Sequence, residues 1–172
     1  LLSVWFLTAL NLRGVREGKF VQTALTALKV GALALLIVLG LTLGRNATAT
    51  AANFSAATFA PTVQFAAPFA LVFGSALVGS LFSSDAWNNV TFAAAEVKNP
   101  ARNLPLALLL GTGLVTLLYV LANVSYLAVL PLAGQPEGAT VLARGIAHAT
   151  QDRVGTALAE VIFGPGAVTA MA

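Results

Sequence analysis

Apolar residues fall along this chain in long runs separated by short polar clusters. The cleanest run, NLPLALLLGTGLVTLLYVLANVSYLAVLP, has no charge between Arg102 and Glu137 and predicts a helix over about 104–131. A second, FVQTALTALKVGALALLIVLGLTLG, covers 20–44 with Lys29 as its one charge. It would be roughly 37 Å long if wholly helical. About 20 apolar residues cross the hydrocarbon of a bilayer, so both runs read as membrane spans. Residues 1–11 read as the tail of another span and 167–172 as the start of one more. On that reading the chain is a fragment.

The third run behaves differently. From Phe69 to Val97 a continuous helix would be roughly 43 Å long, more than hydrocarbon needs. The polar tract SSDAWNN, 83–89, falls near its centre. Seven consecutive residues cover every face of a straight helix, so no rotation hides them all from lipid. One resolution is an interrupted helix, with halves over about 69–82 and 88–97 and a break near 83–88. Unwound carbonyls and amides would then face a protein-lined cavity and suit a charged solute. Carbonyls ending the first half favour an ammonium; amides opening the second favour an anion. The other resolution is an intact helix whose polar face meets neighbouring helices. Asp85 needs a partner either way, because an unpaired charge mid-span costs about 2.5–3.5 kcal/mol.

Basic residues orient the spans. Arg13, Arg16 and Lys19 lie in the connection 12–19, and Lys98 and Arg102 in 98–104, against Arg45 alone in the small-residue polar loop 45–68. This bias puts 12–19 and 98–104 in the cytoplasm, and 45–68 and 132–166 outside. Within the last connection Leu142, Ile146 and Ala149 share a helical face, as do Val154, Leu158, Val161 and Ile162. Short helices over about 139–162 follow, either packed on the protein or moving as a lid.

Composition agrees with this picture. Of 172 residues 58% are hydrophobic and 9% charged, with mean hydropathy +0.88, whereas a soluble domain is about a quarter charged. The fold class is therefore an all-α membrane protein, with the lipid bilayer as a partner. The net charge of +3 reads as a topology signal, and nucleic acid is not an expected partner. With no cysteine, no thiolate metal site and no disulfide-linked subunit through these residues is expected. No cofactor and no metal is called for.

The stretch LFSSDAWNNVTFAAAEVKNPARNLPLALLLG, continuing to Pro131, resembles the sixth and seventh spans of permeases of the amino acid–polyamine–organocation superfamily. It is most like the L-type amino acid transporter branch. NLRGVREGKFVQTALTALKVGALALLIVLG is similar to that branch's fourth-to-fifth connection and fifth span. EVKNPARNLP, Glu96 to Pro105, is the most specific piece. The resemblance implies the five-plus-five inverted-repeat fold with a discontinuous sixth span. This chain would run from the end of the fourth span to the start of the eighth, with the remaining spans as partners. It also implies an amino-acid substrate bound where the first and sixth spans unwind.

Carried onto this sequence, the resemblance implies backbone carbonyls near Phe82, Ser83 and Asp85 holding the substrate ammonium. Phe82 would be an aromatic gate, and Trp87 and Asn88 match the pair that follows the break. Ser84 and Ala86 depart from the branch pattern A-Y-D-G-W or A-Y-G-G-W, replacing a Tyr and a Gly, so substrate preference is not carried over. The candidate site is thus Phe82, Ser83, Ser84, Asp85, Ala86, Trp87 and Asn88. Lys29 matches a fifth-span lysine whose ammonium, in relatives, stands where a sodium ion sits elsewhere in this fold, implying a coupling role. Its depth, about 14 Å along the helix from Phe20, agrees. If the span began nearer Leu25, ordinary snorkelling would suffice.

The expected function is a secondary active permease of the plasma membrane, exchanging neutral amino acids by alternating access. Proton-coupled uptake of amino acids or polyamines is the alternative, and a structural or channel-forming bundle the alternative of another class. Enzyme activity is not expected. An intramembrane aspartyl protease needs two membrane aspartates, where Asp85 stands alone; a serine protease needs a membrane histidine, and the one histidine, His148, lies in an outer loop. Three further signals are weak. GLTLG at 40–44 fits small-residue close packing, Asn123 and Ser125 suggest bonds to neighbouring helices, and NAT and NFS at Asn46 and Asn53 match the glycosylation pattern.

Overall fold

The computed structural model describes residues 4, 5, 8, 15–55, 68–83 and 85–171, leaving aside the side chains of 15–17, 83, 85–88, 93, 96, 170 and 171. In chain order the elements are α1 (Val15–Thr42), α2 (Ala47–Asn53), α3 (Phe69–Ser83), a 3₁₀ segment (Asp85–Glu96), α4 (Pro100–Val129), α5 (Val141–Arg144), a 3₁₀ turn (Thr150–Asp152), α6 (Val154–Phe163) and α7 (Gly166–Met171). Among the described residues no strand occurs. The chain divides into two compact units, residues 1–53 with 121–172, and residues 54–120.

Two helices, α1 over Gly18–Thr42 and α4 over its whole length, are long and apolar enough to cross a membrane. The most apolar 18 residues of α4 include no buried residue, and those of α1 few. A helix apolar all round in a soluble protein would be buried in its core, so these surfaces are built to meet lipid or other spans. The hydroxyls along such helices are satisfied locally. Thr23 donates to the Lys19 carbonyl at 2.8 Å, Thr42 to Val38 at 2.7 Å, and Ser75 to Val72 at 2.9 Å.

The start of α4 explains part of EVKNPARNLP. Asn99 adopts φ 50°, and its carbonyl accepts from the amides of Arg102 at 3.1 Å and Asn103 at 3.0 Å. Pro100 takes the first helical position, where its missing N–H costs nothing. Asn103 Nδ2 reaches back to the Lys98 carbonyl at 2.5 Å. One asparagine turns the chain and the other ties the turn down.

The first unit has a packed core. Val129, Leu130, Val141, Ala149, Ala157 and Leu158 are buried together, with Leu36, Ile146, Val154, Val161 and Ile162 against them. Contact between α1, α4 and α6 is close because α1 carries glycine there. A Cβ on Gly40 would collide with Ser125 Oγ and approach Leu158 within 3.3 Å, and one on Gly44 would come within 3.2 Å of Ile162. The small residues of GLTLG therefore form a seam within the chain. Ser125 is 0% exposed at this crossing, with its Oγ 3.5 Å from the Ile37 carbonyl.

The loop 45–68 is not uniformly irregular, because it contains α2. Asn46 caps that helix, its Oδ1 accepting from Thr48 at 3.0 Å and Ala49 at 3.1 Å. The helix docks on the carbonyl end of α4, where the last carbonyls have no partner of their own. Asn46 N donates to Ala128 O at 3.0 Å, and Thr50 Oγ1 to the same oxygen at 3.0 Å. Asn53 Nδ2 donates to Leu127 O and Leu130 O at 2.8 Å each, while its Oδ1 accepts from Leu132 N at 2.9 Å. Apolar periodicity could not reveal a helix made of Ala, Thr and Asn whose stability comes from capping and docking.

In the connection after α4 the helical stripe over 142–149 is only a single turn, α5, capped by Thr140, whose Oγ1 accepts from Ala143 at 3.1 Å. Val141 is buried and Leu142 is exposed, so the inward register is one residue earlier than Leu142. The helix α6 packs on α1 and on the core at the end of α4.

In the second unit, α3 stacks Phe69 on Phe73, one turn apart, with ring centroids 5.6 Å apart. Most of its described side chains are exposed.

Candidate functional site

The polar tract marks a change of helix type. The α-helical ladder of α3 ends at Ser83 and a 3₁₀ segment begins at Asp85, with Ser84 outside the described residues. Ser, Asp and Asn compete for backbone hydrogen bonds and weaken an α-helix from within. A 3₁₀ run of 12 residues is far longer than the usual three or four and marks a segment under strain. An open stretch over 83–88 followed by an α-helix from 88 is thus not what the backbone adopts: regular i→i+3 turns begin at Asp85. The segment rises about 2.0 Å per residue, so it reaches roughly 24 Å where an α-helix of the same length would reach roughly 18 Å.

Three residues per turn also set a register. Positions 85, 88 and 91 share one edge of the segment, which groups Asp85, Asn88 and Thr91. An α-helix would spread the same three over about a third of its circumference. Sequence reasoning missed this grouping because it assumed α-helical geometry after the break. The side chain of Phe82, the last but one residue of α3, is 86% exposed.

Lys29 is exposed on α1, about 16 Å along the helix from Gly18, where the apolar stretch begins. The helix itself is continuous from Val15 to Thr42. Lys29, Leu33, Leu36 and Gly40 share one face of α1. Leu36 and Gly40 pack on α4 and α6, while Lys29, two to three turns earlier on that face, is exposed. Lys29 belongs to the first unit and Phe82–Asn88 to the second; each is described in its own unit.

Two other features are set aside by their chemistry. A cavity of about 610 Å³ between α1, α6 and α7 is lined by Leu33, Leu36, Phe163 and small neighbours. It offers no polar side chain to the charged ends of an amino acid. His148 is exposed, and among the described residues no group of three His, Asp or Glu could hold a metal.

Comparison with known proteins accounts for these features together. The amino acid permease family matches residues 1–172. The b(0,+)-type amino acid transporter 1 of Oryctolagus cuniculus is 35% identical over 128 residues, 74% of this chain and 25% of that protein. The serine/threonine exchanger SteT of Bacillus subtilis is 33% identical over 130 residues, 76% of this chain and 27% of its own. Solute carrier family 7 member 13 of Rattus norvegicus is 32% identical over 130 residues, 76% and 26% respectively. The chain spans about a quarter of the length of these curated relatives. No solved structure matches it. Uncovered apolar helices, a helix interrupted at a polar tract and a match along the whole length point one way: the chain belongs to the amino acid permease family.

Proposed function

We propose that this chain is the part of a secondary active amino-acid permease that supplies half of the substrate site, and that the transporter exchanges neutral amino acids by alternating access. The match to a transporter family along all 172 residues carries this reading. One relative named as a serine/threonine exchanger supports the mode and the class of solute.

In this reading the carbonyl end of α3, at Phe82 and Ser83, takes the substrate ammonium. The helix dipole makes that end electronegative. Asp85 and Asn88 on the 3₁₀ edge, with Ser84, Ala86 and Trp87 between them, shape the rest of this half of the site. Phe82 closes over the solute as a gate, and its exposure at the end of α3 leaves it room to swing. Lys29, mid-helix on the face of α1 that also carries Leu36 and Gly40, takes part in coupling closure to occupancy. Connections 12–19 and 98–104 face the cytoplasm, 45–68 and 132–166 face outward, and the membrane is the plasma membrane. The protein catalyses no covalent chemistry.

The test is uptake of labelled amino acids into proteoliposomes of the full-length transporter, with and without internal amino acid, for the wild type and Phe82→Ala. Saturable, stereoselective uptake that requires internal substrate and falls at least tenfold in the mutant is expected. Uptake without internal substrate would replace exchange by proton-coupled entry. Flux without saturation would replace the transporter by a channel.

A further inference from the structure

We propose that the connection after α4 is not a lid of its own: the end of α1, α2, residues 121–129 of α4 and α6 form one clamp that stays closed throughout transport. This inference rests on the transport reading above and says which part of the chain holds together while solute passes. All four pieces lie within one compact unit.

The clamp closes on two glycines one turn apart. A Cβ on Gly40 would collide with Ser125 Oγ of α4 and come within 3.3 Å of Leu158 in α6. A Cβ on Gly44 would come within 3.2 Å of Ile162 in α6 and 3.3 Å of Val129 in α4. Each glycine therefore meets both of the other elements, and the three cross where a small residue lets backbones approach. The side chains that fill this crossing are enclosed: Ser125, Val129 and Leu158 are each 0% exposed. Close-packed surfaces of this kind hold one arrangement rather than sliding. Lifting α6 would open an apolar gap beside Val129 and Ile162, where water finds no polar partner.

Hydrogen bonds fasten the same elements through α2. Five join Asn46, Thr50 and Asn53 to the segment 127–132: Asn46 N and Thr50 Oγ1 donate to Ala128 O, Asn53 Nδ2 to Leu127 O and Leu130 O, and Leu132 N to Asn53 Oδ1. Asn53 is almost wholly buried, so water does not stand ready to replace its partners. A buried polar group left without one costs more than the bond itself contributed. The connection is also tied back to its own start, with Ile146 N donating to Pro131 O at 2.8 Å and Ala147 N to Leu132 O at 3.1 Å.

A segment built to open by itself has the reverse character, with few buried contacts and exposed backbone bonds. Helix α3 has that character, with Phe69, Leu71, Phe73 and Phe82 all exposed. Opening and closing of the solute path then falls to movement outside the clamp, or of the clamp as a whole.

The experiment is disulfide locking of the full-length transporter in a cysteine-free background, read as uptake of labelled L-serine into proteoliposomes. Gly44 is not among the residues with a left-handed backbone, so cysteine fits there, and it reaches both neighbours. Gly44→Cys with Ile162→Cys, and Gly44→Cys with Val129→Cys, are each compared oxidised and reduced. Both pairs are expected to cross-link, with saturable uptake unchanged on oxidation. A lid that had to lift would instead slow turnover at least tenfold when locked, with recovery on reduction. In the unsubstituted transporter the amides of Asn46 and Leu132, which donate to Ala128 O and Asn53 Oδ1, should exchange equally slowly with and without L-serine. That readout decides the matter should either pair fail to fold. A reversible tenfold loss on oxidation, no cross-link in a folded pair, or faster exchange at either amide when serine is added overturns the clamp. Absence of saturable amino-acid uptake by the parent before any substitution overturns the transport reading instead.

Discussion

The two units of this chain solve the same problem, a surplus of apolar surface, in opposite ways. The first finds partners within itself: α1, α2, α6 and the end of α4 bury Leu130 and Leu158 and satisfy one another's backbone ends. The second leaves Leu71, Phe73, Phe82 and Phe92 exposed and turns into a strained 3₁₀ segment at its polar tract. Rigidity therefore gathers around the connection after α4, while the residues proposed to meet substrate lie where their own chain gives them least support. The alternating access proposed above would use both. A packed clamp transmits movement, and a loosely held interruption changes partner.

That contrast can be tested one residue at a time through the thermal stability of the full-length transporter. The largest effect is expected from Leu158→Ala, about 2–5 kcal/mol of destabilisation, because its site is fully enclosed. Asn53→Ala should cost about 2–4 kcal/mol by leaving two carbonyls and one amide without their partner. Hydrogen exchange should show the loss first at Leu132. Gly40→Val should cost about 1–3 kcal/mol through its collision with Ser125 and Leu158, and limited proteolysis should open the α6 region. Asn46→Ala should cost about 1 kcal/mol as a lost helix cap. Gly79→Ala in α3 points the other way. Nothing lies near its Cβ position, so a gain of about 0.5–1 kcal/mol is expected. A loss there instead would show that another span presses on that face, and the comparison would then hold only for this chain by itself.

Where the sequence was legible, a single physical signal dominated. The charge-free run before Glu137 announces α4, and Val154, Leu158, Val161 and Ile162 announce the inward stripe of α6. Two features escaped because their causes are not periodic. The helix α2 depends on Asn46 and Asn53 meeting a helix end far away in sequence. The seam at Gly40 is written in residues too common to stand out. At the candidate site, the composition of 83–89 marks a place where an α-helix would fail. It does not say that the chain would tighten into 3₁₀ turns and bring positions 85, 88 and 91 onto one edge. That choice is made by tertiary surroundings, which local composition does not contain.

The cap at Asn53 has a consequence in time. Its Nδ2 is the atom to which a sugar would be joined in the triplet Asn53-Phe54-Ser55, and that nitrogen is already spent on two carbonyls in a side chain only 6% exposed. Modification and docking are mutually exclusive. During synthesis Asn53 emerges 74 residues before Leu127, roughly 4–15 s at ordinary elongation rates. Through that interval the acceptor stands open while its lock does not yet exist. In a compartment with sugar transfer, maturation of this segment becomes a race, and a glycan at Asn53 would record a chain in which α2 arrived too late.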